Sequence, residues 1–225
     1  LNTITYSAAI SACEKGGQWQ EALRLLDEMK KTNIAPNTIT YNAAISACEK
    51  GGQWQEALRL LDEMKKTNIA FDTITYNAAI SACEKGEQLQ EALRLLDEMK
   101  KTNIALNTIS YSAAISACEK GEQWQEALRL LDEMESKNLL PGEITDYSII
   151  DFHNFCLSLC KVFLRKYVGK KIIRKIIVGK GKHSVNGPVL KQGVLEFIGE
   201  NYGNILKCEE DANNAGVLNV TYSCN

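Results

Sequence analysis

Asp151 and His153 stand two residues apart at the close of the β-type run Tyr147–Phe152. His183 follows the loop Gly179-Lys180-Gly181-Lys182, which closes a second run, Ile172–Val178. The chain has no other histidines. If the two runs are parallel neighbouring strands, both imidazoles emerge at one carboxyl edge, where open α/β sheets place their sites. A glycine loop ahead of a helix offers backbone N–H groups that can cradle a phosphate. A lone Gly-x-Gly is a weak motif, and a lone histidine is more often structural than catalytic. Together with Asp-x-His on the neighbouring strand, the signal is stronger than either part.

The elements that would position these residues follow Pro141. Leu157–Tyr167 has helical periodicity, and Ile172–Val178 is apolar enough for a buried parallel strand. A second helix is predicted over Pro188–Tyr202, with proline in its first turn. Ile205–Cys208 and Val217–Tyr222 complete a β-α-β-α-β-β order, a small α/β domain over 143–225. Its balance of 11 basic and 8 acidic residues contrasts with 15 and 20 over 1–142. Ten basic residues and no acidic one lie between Lys161 and Lys191, a stretch that attracts polyanions or forms an ordinary solvated face.

Residues 1–142 carry a thirty-five-residue segment written four times, from Thr3, Thr38, Thr73 and Thr108. A fixed period of this size marks a stacked array in which each unit buries its apolar face against its neighbours. Tyr6, Ala9, Ile10 and Cys13 form the stripe of a first helix, which Gly16 and Gly17 break. Trp19, Ala22, Leu23, Leu26 and Met29 form the stripe of a second, and Asn33 suits a left-handed stop. The predicted fold is an all-α helical-hairpin solenoid followed by the small α/β domain. Cys13, Cys48, Cys83 and Cys118 recur at one place in successive units, about 8–10 Å apart if helices stack, too far to bridge. They read as small core residues, and all eight cysteines as free thiols. No apolar stretch approaches the ~18 residues of a membrane span, so no membrane association is expected. The chain opens at Leu1, part-way through a repeat, so that any targeting segment and the full repeat number lie outside view.

The first helix has a second face, Ile4, Ser7, Ser11 and Glu14. Among near-identical copies, two positions exchange only small polar or turn residues. The fifth is Ser7, Asn42, Asn77 and Ser112; the last is Asn37, Asp72, Asn107 and Gly142. Such side chains can hydrogen-bond a base edge. The last position can equally be an N-cap. Lys15, Lys50, Lys85 and Lys120 are either phosphate contacts or cations at helix C-termini.

Thr5-Tyr6-Ser7, Ile10, Ala12, Glu21-Ala22-Leu23, Glu28-Met29 and Pro36-Asn37 make the unit resemble the pentatricopeptide repeat (PPR). The resemblance implies single-stranded RNA as partner, one base per repeat. It places the reading positions at the fifth and last residues, with Ile4, Ile39, Ile74 and Ile109 sandwiching the base. By the family's code Ser7 with Asn37 implies adenine, Asn42 with Asp72 uracil, and Asn77 with Asn107 a pyrimidine, cytosine preferred. Ser112 with Gly142 leaves the fourth base open. The family also implies a mitochondrion or plastid, and no obligate protein partner.

The tail resembles the small MutS-related (Smr) domain. Its LDxH motif is matched by Ile150-Asp151-Phe152-His153, its TGxGxHS loop by Val178-Gly179-Lys180-Gly181-Lys182-His183-Ser184, and its terminal strand by Asn214–Val220. Val178 and Asn154 depart from that pattern. The resemblance implies an endonuclease, here an endoribonuclease, or a domain that only binds. Asp151 would orient His153 or a metal-bound water, His153 or His183 would act as base or acid, and Gly179, Lys180, Gly181 and Lys182 would hold the phosphate. Mg²⁺ or another divalent ion is compatible with this set and is not demanded by it. The rival readings are an RNA-binding adaptor that does not cut and a protein-binding solenoid.

Overall fold

The computed structural model describes residues 2–142, 144, 147–179 and 189–223. The chain divides into two compact units, Leu1–Glu122 and Gln123–Asn225.

The first unit holds the helical hairpins α1 (Thr3–Lys15) and α2 (Trp19–Lys31), α3 (Thr38–Lys50) and α4 (Trp54–Lys66), and α5 (Thr73–Lys85) and α6 (Leu89–Lys101), then α7 (Thr108–Lys120). Each first helix starts on the last residue of the preceding copy, whose side chain accepts N–H bonds of the first turn. Each stops at the first residue of the Gly-Gly or Gly-Glu pair. Asn33, Asn68 and Asn103 adopt the left-handed conformation that ends the second helices. First helices lie side by side, and each second helix packs on its own first helix and on the next. The core of the second copy follows the stripes in part: Tyr41, Ile45, Cys48, Ala57, Leu61 and Met64 are buried, but so is Leu60, whereas Trp54 and Leu58, in the places of Trp19 and Leu23, are only half-buried. Tyr41 keeps its phenol satisfied by donating to Glu63 Oε1 at 2.8 Å, as Tyr6 does to Glu28 and Tyr76 to Glu98.

The second unit begins with α8 (Trp124–Ser136), the second helix of the fourth copy. It continues through β1 (Ile149–Asp151), α9 (Leu157–Tyr167), a 3-10 turn at Val168–Lys170, β2 (Lys175–Ile177), α10 (Val189–Tyr202), β3 (Leu206–Asp211) and β4 (Asn214–Tyr222). This is the β-α-β-α-β-β order predicted. The sheet order is β1-β2-β4-β3, with β1 and β2 parallel and the other pairings antiparallel. β2 is shorter than the apolar run Ile172–Val178, and a 3-10 turn with the left-handed Lys171 precedes it. α9 contacts both α8 and α10, which explains why Leu159, Cys160, Val162, Phe163, Leu164 and Tyr167 are all buried, more than one stripe. Phe163 meets Phe152 and Phe155 edge-on in this core.

Candidate nucleic-acid interface

The second-position isoleucines are the most conspicuous apolar residues outside the core. Ile4, Ile39, Ile74 and Ile109 are 78%, 65%, 59% and 56% exposed, each in the first turn of its helix. A row of large aliphatic side chains left in water at one place per repeat costs burial free energy that a ligand could recover.

Beside them, fifth- and last-position residues of one unit meet directly in the second and third copies and through Thr40 in the first. Asn42 Nδ2 donates to both carboxylate oxygens of Asp72, at 3.1 and 3.0 Å. Asn77 Nδ2 donates to Asn107 Oδ1 at 3.2 Å. Ser7 Oγ lies 2.8 Å from Thr40 Oγ1, which in turn donates to Asn37 Oδ1 at 3.0 Å. The last residue is therefore also the cap of the next helix: Asp72 Oδ1 accepts from Thr75 N at 2.8 Å, and Asn37 Oδ1 from Thr40 N at 3.0 Å. Capping and pairing coexist because each last residue presents more than one lone pair.

Sequence reasoning missed the third-position hydroxyls that lock these pairs. Thr75 Oγ1 donates to Asn42 Oδ1 at 2.6 Å, and Ser110 Oγ to Asn77 Oδ1 at 2.6 Å. Thr40, Thr75 and Ser110 are fully buried. Their signal was the restriction of that position to Thr or Ser in every copy. With its Oδ1 engaged from behind, each asparagine holds its amide in a fixed orientation.

Each recurring lysine stands in the last turn of its first helix, the C-terminal position expected, and three of them also pair with a carboxylate there. Lys50 pairs with Glu14, Lys85 with Glu49 and Lys120 with Glu84, each bridging to the preceding copy.

In the second unit, β1 and β2 are the parallel neighbours that the carboxyl-edge argument required. Asp151 Oδ1 accepts from His153 N at 2.9 Å and lies 3.0 Å from His153 Nδ1, which fixes the ring with Nε2 pointing away from the carboxylate. That Nε2 faces Gly179, where a Cβ would come within 3.0 Å of it. Gly179 has φ +72, so glycine serves both the turn and the close approach. Both side chains are half-exposed. Lys180, Gly181, Lys182 and His183 lie outside the described residues. Among the described residues, no three His, Cys, Asp or Glu side chains converge to hold a metal ion. Nor is any helix among them long and apolar enough to cross a membrane.

The sequence matches the PPR repeat family over residues 1–50, 36–85 and 71–120, and the PPR repeat over 109–139. No curated protein matches the chain. Among solved structures, the fold is similar to that of the pentatricopeptide repeat protein PPR10 from maize, at 24% identity and a TM-score of 0.58 over 90% of this chain and 28% of that one. It is similar to PPR10 in complex with an 18-nt psaJ RNA element, at 22% identity and a TM-score of 0.58 over 76% of this chain and 24% of that one. It is also similar to the PPR domain of Arabidopsis thaliana protein-only RNase P 1 in complex with tRNA, at 17% identity and a TM-score of 0.61 over 76% and 84% of the two chains. The chain thus spans between 24% and 28% of the length of PPR10.

Proposed function

Because the chain belongs to the PPR repeat family, we propose that its repeats bind single-stranded RNA one base per unit, and that its α/β unit is an Smr-type domain acting on the adjoining backbone. The observation that carries this reading is the exposed isoleucine row beside the locked fifth–last pairs. Adjacent isoleucines can sandwich a base while the pair presents a fixed donor and acceptor pattern to its edge. Ser7 with Asn37 then reads adenine, Asn42 with Asp72 uracil, and Asn77 with Asn107 a pyrimidine, cytosine preferred. The solved complexes of PPR10 with RNA and of the RNase P repeat domain with tRNA lend support at the level of fold. The RNA is taken to be a transcript of a mitochondrion or plastid.

In the tail, Asp151 holds His153 through Nδ1 and leaves Nε2 available as a base. Abstracting the proton of a ribose 2′-hydroxyl there lets that oxygen attack the adjacent phosphorus. The bond to the 5′-oxygen breaks, and a protonated group, with His183 the candidate, supplies the departing oxygen with its proton. The products are a cyclic phosphate and a 5′-hydroxyl.

Two experiments test the halves separately. Asn42→Ser with Asp72→Asn keeps a cap at position 72 and should move the preference at one base from uracil towards adenine; an unmoved preference sinks the reading positions. His153→Ala should abolish cleavage of a bound RNA while leaving its affinity intact. Cleavage at the wild-type rate would remove His153 from the chemistry, and a wild-type chain that binds without cutting would leave the adaptor reading.

A further inference from the structure

The array is a poor source of phosphate affinity, because most of its cations already have partners. Arg24, Arg59 and Arg94 pair with glutamates of their own helices. Lys30 and Lys65 pair with Glu63 and Glu98, and Lys50, Lys85 and Lys120 with glutamates one copy back. An ion-paired lysine presents little net charge to an arriving phosphate, since its carboxylate partner offsets the local field.

The approach to β2 is different. Lys170, Lys171, Arg174 and Lys175 are exposed. Among the described residues, no carboxylate lies within ion-pair distance of any of them. Asp211 feels the charge of Lys175 without pairing with it. Two of the four rest on rings that place a charge without neutralising it: Lys170 Nζ lies 4.5 Å from the centre of Tyr167, and Arg174 Cζ 5.7 Å from that of Tyr222. The backbone between them is fixed. The 3-10 turn Val168–Lys170 ends on the left-handed Lys171, and the N–H groups of Arg174 and Lys175 both donate to Ser148 O, at 2.7 and 2.9 Å. Six consecutive residues thus hold four unpaired cations within about 18 Å, the reach of an extended chain of that length. The cluster lies at the amino end of β2, whereas His153 and Gly179 flank the carboxyl end, so it is no part of the Asp151–His153 site.

We propose that Lys170, Lys171, Arg174 and Lys175 form a phosphate-binding surface for the backbone of single-stranded RNA, supplying the sequence-independent share of affinity that the acidic repeats lack. The proposal rests on the RNA-binding reading above and adds where its salt-sensitive part resides. Neutralising a phosphate on a single strand contributes about −0.7 to the slope of log affinity against log salt.

The test uses the full chain and two short single-stranded RNA oligomers, one containing A-U-C and one with the same bases scrambled. The variant Lys170→Gln, Lys171→Gln, Arg174→Gln, Lys175→Gln should flatten the salt slope by about 3 for both oligomers. The wild-type advantage should then shrink roughly fifty-fold between about 50 and 200 mM salt, with the ratio between oligomers unchanged. Lys170→Gln alone, on an exposed side chain that rests on the Tyr167 ring, should flatten it by about 0.7, and Lys170→Arg should restore it. Wild-type binding with a slope that neither Gln variant moves overturns this proposal and leaves the base-reading assignment standing. A wild-type chain that binds neither oligomer overturns both. Loss of binding to phosphatidylserine vesicles in the fourfold variant, with the RNA slope unmoved, would make the patch a membrane surface and overturn the assignment to RNA.

Discussion

The Arg165 guanidinium lies 3.7 Å from the centre of the Trp124 ring. In the earlier copies the equivalent tryptophans face glycine: a Cβ on Gly51 would come within 2.3 Å of Trp19, and one on Gly86 within 2.2 Å of Trp54. On α8 the neighbour is α9 of the α/β unit. The same helix pairs Lys166 with Asp132 and Glu135, and the Tyr167 hydroxyl donates to Glu135. Glu135 stands where the other copies carry Lys30, Lys65 and Lys100. The fourth copy thus departs from the repeat where its second helix must receive α9.

Glu135→Lys, which restores the residue of the other copies, should therefore destabilise the second unit. It removes two hydrogen bonds to a charged acceptor and sets a cation beside Lys166, for a loss of about 1.5–3 kcal/mol. Amide exchange should rise along α8 and α9 together and stay unchanged in α1–α6. An unaltered exchange pattern would show that this pairing does not hold α8 to α9.

Gly86→Ala should cost about 1–3 kcal/mol by overpacking, since the new methyl would meet Trp54 Cδ1 at 2.2 Å. The third copy carries Leu89 in place of that tryptophan, and the corresponding approach to Gly121 relaxes to 2.8 Å. Combining Gly86→Ala with Trp54→Leu should accordingly cost less than the sum of the two single changes. Additive urea midpoints would mean that the ring moves aside freely.

Glu87 occupies a left-handed turn position, φ 57°, that Gly17 and Gly52 fill at 67° and 68°. A side chain there costs about 1–2 kcal/mol, partly offset by the entropy glycine loses on folding. Glu87→Gly should raise stability by about 0.5–1 kcal/mol in chemical denaturation, and a fall in stability would reveal a compensating contact of the carboxylate.

The sequence carried the periodic parts of this molecule and hid the reciprocal ones. Helix stripes, asparagine stops and the α/β element order could be read because each follows from local spacing and turn chemistry. The grip of Thr75 on Asn42 joins residues thirty-three apart, and only the uniformity of its position hinted at it. The repeat text runs on to Gly142, yet the packing divides after Glu122, because α9 covers α8 through contacts that no local pattern announces. At the tail site, the Asp151–His153 pair was legible from its spacing, while the approach of Gly179 to Nε2 needed the parallel register of β1 and β2.

Acid should loosen the array through Glu63 and Glu98. Burial works to raise both carboxyl pKa values, but hydrogen bonds from Lys30 and Tyr41 to the first, and from Lys65 and Tyr76 to the second, outweigh it. The charges of those lysines and of Arg59 and Arg94 act the same way, so both groups sit below the ordinary carboxylate range. A depressed native pKa means that the unfolded chain takes up its proton first as pH falls. The stability these groups contribute is therefore complete above about pH 4.3, declines below it, and is gone once the native carboxylates are protonated. Thermal melting of the Glu63→Gln, Glu98→Gln variant should start lower than wild type at pH 7 and decline less steeply between about pH 5 and 3. If the two melting curves fall in parallel with pH, the acid sensitivity resides in other carboxylates and the Tyr–Glu–Lys clusters are not its source.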